Sequence, residues 1–273
     1  MQAVPASRIP FLAEVTYIQL YSNDRPMTYT PFSIYGAERR ARWLITCDHA
    51  SNFVPEDIAG GDLGLPAEEM ARHIAYDVGA RGTSLKLGEL LDAPVICANW
   101  SRLCIDPNRG MDDPTLVMRL YDGTIIPANR HVDEAEIARR VATHYRSYHD
   151  ALEALATARE DVVIIAMHSF SPKLKGRAPR PWEIGVLHAP QEDRFGRALI
   201  TRLAREEDLT VGDNEPYDGY LPGDSIDQHA LASGRLNALI ELRHDEIDTE
   251  AGQQAWAERL APILTDTLRE GGF

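Results

Sequence analysis

Cysteine is scarce in this sequence: Cys47, Cys97 and Cys104 are the whole set, and no two form a CxxC pair. An odd, sparse set excludes a disulfide framework and a thiolate zinc knuckle. Cys97 and Cys104 fall in or near strand-like runs and read as small buried hydrophobes. Positive charge is short as well, with 28 Lys and Arg against 42 Asp and Glu and a formal net charge of −14. Such a field repels polyanions and speaks against a nucleic-acid partner, and its plain reading is solubility. No apolar run approaches the ~18 residues of a membrane span. The N-terminal "MQAVPASRIPFLAEV" lacks a charged region followed by an apolar one. The expectation is a cytoplasmic protein with no membrane partner. Two catalytic motifs are absent too. Without HExxH there is no helix-borne zincin site. Without GxSxG, Ser51, Ser169 and Ser171 have no nucleophile elbow. Cys47 is a poor nucleophile candidate, because on a strand it projects to the opposite side from Asp48.

What is present is core-forming material. The chain has 273 residues, 44% of them hydrophobic, enough for one large domain or two small ones. With no repeat and no linker, one domain over 41–273 is expected, behind an N-terminal extension, 1–40. In that extension "EVTYIQLYS" alternates weakly and "RPMTYTPFSIYG" suits an edge strand. Strands are expected in "RWLITCDH", "APVICANW", "DVVIIAMH", "WEIGVLHA", the first part of "LTVGDNEPYDG", which then turns to loop, and "GRLNALIELRHDEI". Between them lie helical patterns: 66–92 with a break near Gly79 or Gly82, 133–160, 193–208 and 250–271. In 133–160, Ile137, Val141, Tyr145, Tyr148 and Leu152 recur at helical spacing. The polar stretch 110–131 reads as an excursion able to cover a site. Strand–helix alternation of this kind predicts a three-layer α/β/α sandwich with a mostly parallel mixed sheet.

In such folds, sites gather beyond the carboxyl ends of the strands. His49, Asp106, His168 and Glu241 all fall there. A lone histidine is more often structural than a ligand, but two at the ends of core strands of one sheet point to a metal site with an open position for water. Glu241 closes a very apolar strand, where burial is costly unless it is paired. It reads either as an ion pair with Arg243 or another arginine, or as a general base that takes a proton from metal-bound water. "SRLCIDPNR" gathers Arg102, Asp106, Asn108 and Arg109; arginine forks suit carboxylates, and solvated loop charge is the plain alternative. "HIAYD" puts His73 and Asp77 four residues apart on one helical face, with either a ligand candidate and a helix-surface pair the plain alternative.

"CDHASNFVP", "HIAYDVGA", "SRLCIDPNR", "YDGTIIPAN", "AMHSFSP" and the "IEL" strand, in this order over roughly 40–265, resemble the N-formylglutamate amidohydrolase family. More remotely, "IIAMHSFS", "IDPNR" and "IELR" look like segments of zinc carboxypeptidases and aspartoacylase-type deacylases: a zinc histidine strand, a substrate-holding DxNR segment and a catalytic glutamate strand. The resemblance implies the fold of those enzymes, that of the zinc-carboxypeptidase/phosphorylase-hydrolase type. It also implies one zinc ion per chain and hydrolysis of N-formyl-L-glutamate to formate and glutamate. One departure matters. Those relatives take two ligands from HxxE, and here the stretch reads His49-Ala50-Ser51-Asn52. The resemblance therefore implies His49, Asp77 and His168 as ligands, with Asn52 or Glu56 as substitutes for the third. Glu241 is implied as base. Asn52, Arg102, Asn108, Arg109 and Arg130 are implied as substrate-binding, with Arg109 also catalytic through oxyanion support and Arg102 sharing that role. The expected partner is a small carboxylate-bearing amide. The alternatives are another N-acyl amino acid or peptide-like amide on the same scaffold, or a non-catalytic small-molecule binder.

Overall fold

β-Branched and aliphatic residues fill the runs "WLITC", "VICA", "VIIAMHSF" and "LNALIELR" without a polar face. Strands of that kind are stable only when both faces are covered. In the computed structural model, which describes residues 29–174 and 176–273, they form the middle of a sheet. The strands are β1 Phe32–Tyr35, β2 Trp43–Cys47, β3 Val95–Ala98, β4 Leu120–Tyr121, β5 Thr124–Ile125, β6 Val163–Phe170, β7 Ile184–Leu187, β8 Val211–Asp213 and β9 Leu236–Arg243. The large sheet runs β1-β3-β2-β6-β9-β7-β8, while β4 and β5 pair as a separate hairpin. β3, β2, β6 and β9 are mutually parallel. β1 joins β3 antiparallel at one edge, and β7 joins β9 antiparallel towards the other. The alternating "EVTYIQLYS" run lies outside the described residues.

The helices are α1 Ala67–Met70, α2 Ala80–Leu90, α3 Glu134–Arg140, α4 Arg146–Thr157, α5 Arg194–Leu203, α6 Ser225–His229 and α7 Glu250–Gly271. Alternate strand residues sort the core in two. Trp43, Ile45, Val163, Ile165 and Met167 pack with Leu87 of α2, Phe195 and Leu199 of α5, and Trp256 and Leu260 of α7. Leu44, Ile96, Ile164 and Ala166 pack with Tyr148 and Leu152 of α4 and Ile226 of α6. The result is a three-layer α/β/α sandwich around a mostly parallel mixed sheet. Each fully buried aliphatic side chain contributes about 1.5–3 kcal/mol of transfer free energy. Among the described residues, no helix is long and apolar enough to cross a membrane.

Two elements differ from the sequence expectation. Residues 71–79 are turns, not helix, so His73 and Asp77 do not share a helical face. The reason is Gly79, which caps α2 at φ +78°. A Cβ there would lie 2.0 Å from the Ile247 carbonyl oxygen, so only glycine fits. The expected single helix over 133–160 contains a π segment, Val141–Tyr145, between α3 and α4. The free cysteines Cys47, Cys97 and Cys104 are all buried.

Candidate metal centre and active site

The parallel strands β2, β6 and β9 run side by side and end together. His168 and Glu241 are Cα partners on β6 and β9, so their side chains share a face. His49 follows β2 by two residues. Asp77 is drawn over the same ends by backbone bonds: its N–H donates to the His49 carbonyl at 2.9 Å, and Arg102 N–H donates to the Ala75 carbonyl at 3.2 Å. Ser101 Oγ also donates to the Ala75 carbonyl at 2.8 Å.

His49, Asp77 and His168 are all buried, and one ligand atom from each lies within 4.8 Å of the others. Asp77 Oδ2 is 3.2 Å from His49 Nδ1 and 2.8 Å from His168 Nδ1. The other ring nitrogen of His49, Nε2, is 2.7 Å from Asp106 Oδ1. Burial pushes the Asp106 carboxyl up, but the charges of Arg102 and His49 more than reverse it and hold it well below the usual range. An ionised Asp106 accepts a hydrogen bond from His49 Nε2–H, and the Nδ1 lone pair then faces the Asp77 carboxylate. Two acceptors facing each other in a buried site are what a cation satisfies, and a carboxylate bonded behind a histidine ligand is the usual support. His168 fits the same reading. Burial pulls its imidazole down, yet the bond and charge of Asp77 lift it to about 9. A metal replaces such a proton. Burial pushes the Asp77 carboxyl up, and both histidines outweigh that and hold it low. The donor set, two imidazole nitrogens and one carboxylate, suits a catalytic zinc site with an open position.

Glu241 stands beside this cluster with its Oε2 buried and without a hydrogen bond among the described residues. Burial lifts its carboxyl well above the ordinary range, the Asp77 charge adds to this, and His168 opposes it. The ion pair considered from sequence does not form. Arg243 is taken by Glu183, Asp245 and Glu246 instead. Asp48, not singled out from sequence, is fully buried and accepts a short bond from the Tyr148 hydroxyl. Its Oδ2 is 3.8 Å from His168 Nε2, and neither atom has a hydrogen-bond partner among the described residues. Asp48 faces the α4 layer, while its neighbour Cys47 faces the other.

The expected substrate residues divide. Arg102 is buried and committed: Nε and Nη2 donate to Asp106 Oδ2 at 3.1 and 2.7 Å, and Nη1 is 3.6 Å from Asp77 Oδ1. It ties Asp106 and Asp77 together behind the His49–Asp77–His168 cluster. Asn108 is buried, and its Oδ1 accepts from Ser225 N–H at 3.2 Å. Arg109 is half-buried; its Nη1 donates to the Asn108 carbonyl at 2.7 Å and its own carbonyl accepts from Tyr145 at 2.7 Å. Asn52 is exposed and donates to the Met70 carbonyl at 2.9 Å, and Glu56 is exposed too. Neither joins the cluster, which Asp77 completes. Arg130 is exposed, because its neighbour Asn129 points inward and donates to the carbonyls of Leu103 and Met118. His73 is 3.8 Å from Asp122 on the β4–β5 hairpin and lies outside the cluster.

No curated protein matches the chain. The gene product Atu2144 from Agrobacterium tumefaciens is similar in structure at a TM-score of 0.82 and 32% identity, over 89% of this chain and 96% of that one. The N-formylglutamate amidohydrolase from Ralstonia eutropha JMP134 is similar at 0.59 and 23%, over 89% and 97%. A metallo-carboxypeptidase from Pseudomonas aeruginosa is matched at 0.40 and 13%, over 84% and 56%. Residues 41–247, the stretch that carries His49, Asp77, His168 and Glu241, match the N-formylglutamate amidohydrolase family, and the chain belongs to that family.

Proposed function

We propose that this protein is a zinc-dependent amidohydrolase that cleaves N-formyl-L-glutamate to formate and L-glutamate. The single observation that carries the reading is the buried His49–Asp77–His168 convergence with the unpaired Glu241 oxygen beside it. Family membership supports amide hydrolysis as the reaction. His49, Asp77 and His168 would hold zinc, which when bound supplies a Lewis acid and lowers the pKa of water.

The chain's own residues do the rest. Asp106 holds the proton on His49 Nε2 and leaves Nδ1 free to ligate. Arg102 fixes Asp106 and so sets the ring plane. Glu241 takes the proton of the attacking water as oxygen bonds to the formyl carbon, then gives it to the nitrogen as the C–N bond breaks. Its buried setting favours the protonated form it must pass through. Asn108 and Arg109, from the strand-end loop, bind a substrate carboxylate.

The test is elemental analysis together with formate release from N-formyl-L-glutamate, with and without chelator. About one zinc per chain and chelator-sensitive release are expected. Zinc without release would reject the substrate and keep the site. Protein that cannot be loaded with metal would reject the mechanism.

A further inference from the structure

Most arginines around the strand ends are neutralised by acids. Arg72 is paired with Glu69 and Asp122, Arg102 with Asp106, and Arg243 with three acids. Arg180 is not. It lies in the loop that follows β6. Its N–H donates to the Pro172 carbonyl at 2.8 Å, which closes that loop. Its Nη1 donates to the Ser171 carbonyl at 3.0 Å and reaches the Tyr217 hydroxyl at 3.4 Å. The guanidinium carbon sits 5.6 Å from the centre of the Phe170 ring and 5.1 Å from that of Tyr217. Among the described residues no carboxylate pairs with it, and its Nε and Nη2 have no hydrogen-bond partner.

Position and orientation follow from these contacts. Phe170 is two residues beyond His168 on one strand, so both rings rise from the same face. Tyr217 comes from the far side. Gly185, the β7 partner of Glu241, has no side chain, and a Cβ there would lie 2.0 Å from the Glu215 carbonyl oxygen. That close approach brings Tyr217 to the strand ends, where burial and the Glu241 charge push its phenol up to about 12. The Arg180 guanidinium is thus stacked on two rings, with one nitrogen held by the loop and the Nε–Nη2 edge unbonded. An open guanidinium edge matches the two oxygens of a carboxylate.

We propose that Arg180, held between Phe170 and Tyr217, is the specificity residue for the side-chain carboxylate of the substrate, so that the site selects acidic N-acyl amino acids over neutral ones. This rests on the amidohydrolase reading and completes it. Arg109 and Asn108 take one carboxylate from the loop after β3, and Arg180 takes the second from the loop after β6. Arg130, expected from sequence for such a role, is turned to solvent.

The experiment compares N-formyl-L-glutamate with N-formyl-L-glutamine, which has an amide in place of the side-chain carboxylate, in the wild type, Arg180→Gln and Arg180→Lys. The wild type should prefer the glutamate compound. Arg180→Gln should reduce that preference in kcat/KM by about 10- to 100-fold, mainly through KM. Arg180→Lys should restore part of it, because charge returns without the fork. No wild-type preference, or an equal loss on both compounds, overturns the proposal and leaves Arg180 a structural residue. If neither compound is cleaved, the amidohydrolase reading fails instead, and calorimetric binding of L-glutamate against L-glutamine decides the role of Arg180. Loss of selective glutamate binding in Arg180→Gln supports it, and equal binding by both proteins overturns it.

Discussion

Glu241 is an acid at the end of a strand whose neighbours Leu239, Ile240 and Leu242 are buried and apolar. A carboxyl left there without a partner is costly, and the base role proposed for Glu241 would be a reason to keep it. Glu241→Gln removes the proton acceptor and preserves shape. It should keep fold and metal content and lose about 10²- to 10⁴-fold in kcat, read as formate release on zinc-loaded protein. Near-normal turnover would remove its role as base. The site was partly legible at this scale. His49, His168 and Glu241 could be found because strand-end position is encoded in local hydrophobic pattern. Spacing made Asp77 and His73 equal candidates and only the family resemblance chose Asp77, since its place depends on turns at 71–79 that a helical pattern masks. Arg180 and Asp48 were missed for different reasons. Arg180 is brought between Phe170 and Tyr217 by the path of a loop, which no periodicity records. The importance of Asp48 appears only when Tyr148, a hundred residues on, packs against it.

The elements show the same division between local and long-range information. The central strands were readable from unbroken apolar runs, and α7 as a helical run over 250–271; its cap, Thr249, whose side chain accepts from Gly252 N–H, is seen only in the structure. The antiparallel direction of β7 was not readable, because side-chain alternation carries no sign of strand direction. Nor was the β4–β5 hairpin within the excursion at 110–131, whose strands are two residues each. Gly79 is where an element boundary and the site meet. Its positive φ and its contact with the Ile247 carbonyl stop the helix and leave Asp77 free to turn towards the histidines. Gly79→Ala adds a left-handed strain and a clash, together about 2–4 kcal/mol. Urea unfolding should show that loss, and metal titration should show weaker binding. Gly60→Ala is the control. Its φ is +67° with nothing within 4 Å of an added Cβ, so only the strain of about 1–2 kcal/mol applies. Equal losses in the two variants would dismiss the Ile247 contact.

At the scale of the molecule, the two faces of the sheet have different tasks. The side covered by α2, α5 and α7 is an apolar core, whereas the side covered by α4 and α6 also holds the buried polar groups behind the site. His149 of α4 is among them. Its Nε2 is 3.0 Å from the Pro107 carbonyl, next to Asn108, and its Nδ1 is 2.8 Å from His229 Nε2 on α6. Tyr145 and Tyr148 pack on its ring, and Asp48 is in electrostatic range. Burial, with the His229 charge added, pulls His149 down to about 4. The unfolded chain, with an ordinary histidine near 6.5, therefore binds more protons than the folded one between pH 6.5 and 4. The contribution of His149 to stability is complete above pH 6.5 and is lost as pH falls through 4, a change of about 3 kcal/mol by linkage. Glu136 and Glu153, both held at about 2 by bonds from Arg139 and Arg235, add losses that begin as pH falls through the ordinary glutamate value and run down towards 2. Asp224, lifted to about 6 by burial, acts in the opposite sense and is common to any pair of proteins that keep it. Urea unfolding of the wild type and His149→Gln from pH 8 to 4.5 isolates the histidine. The wild type should lose stability between pH 6.5 and 4.5 more steeply than the variant. Parallel profiles would place the acid sensitivity in the carboxylates and leave the His149–His229 contact neutral across that range.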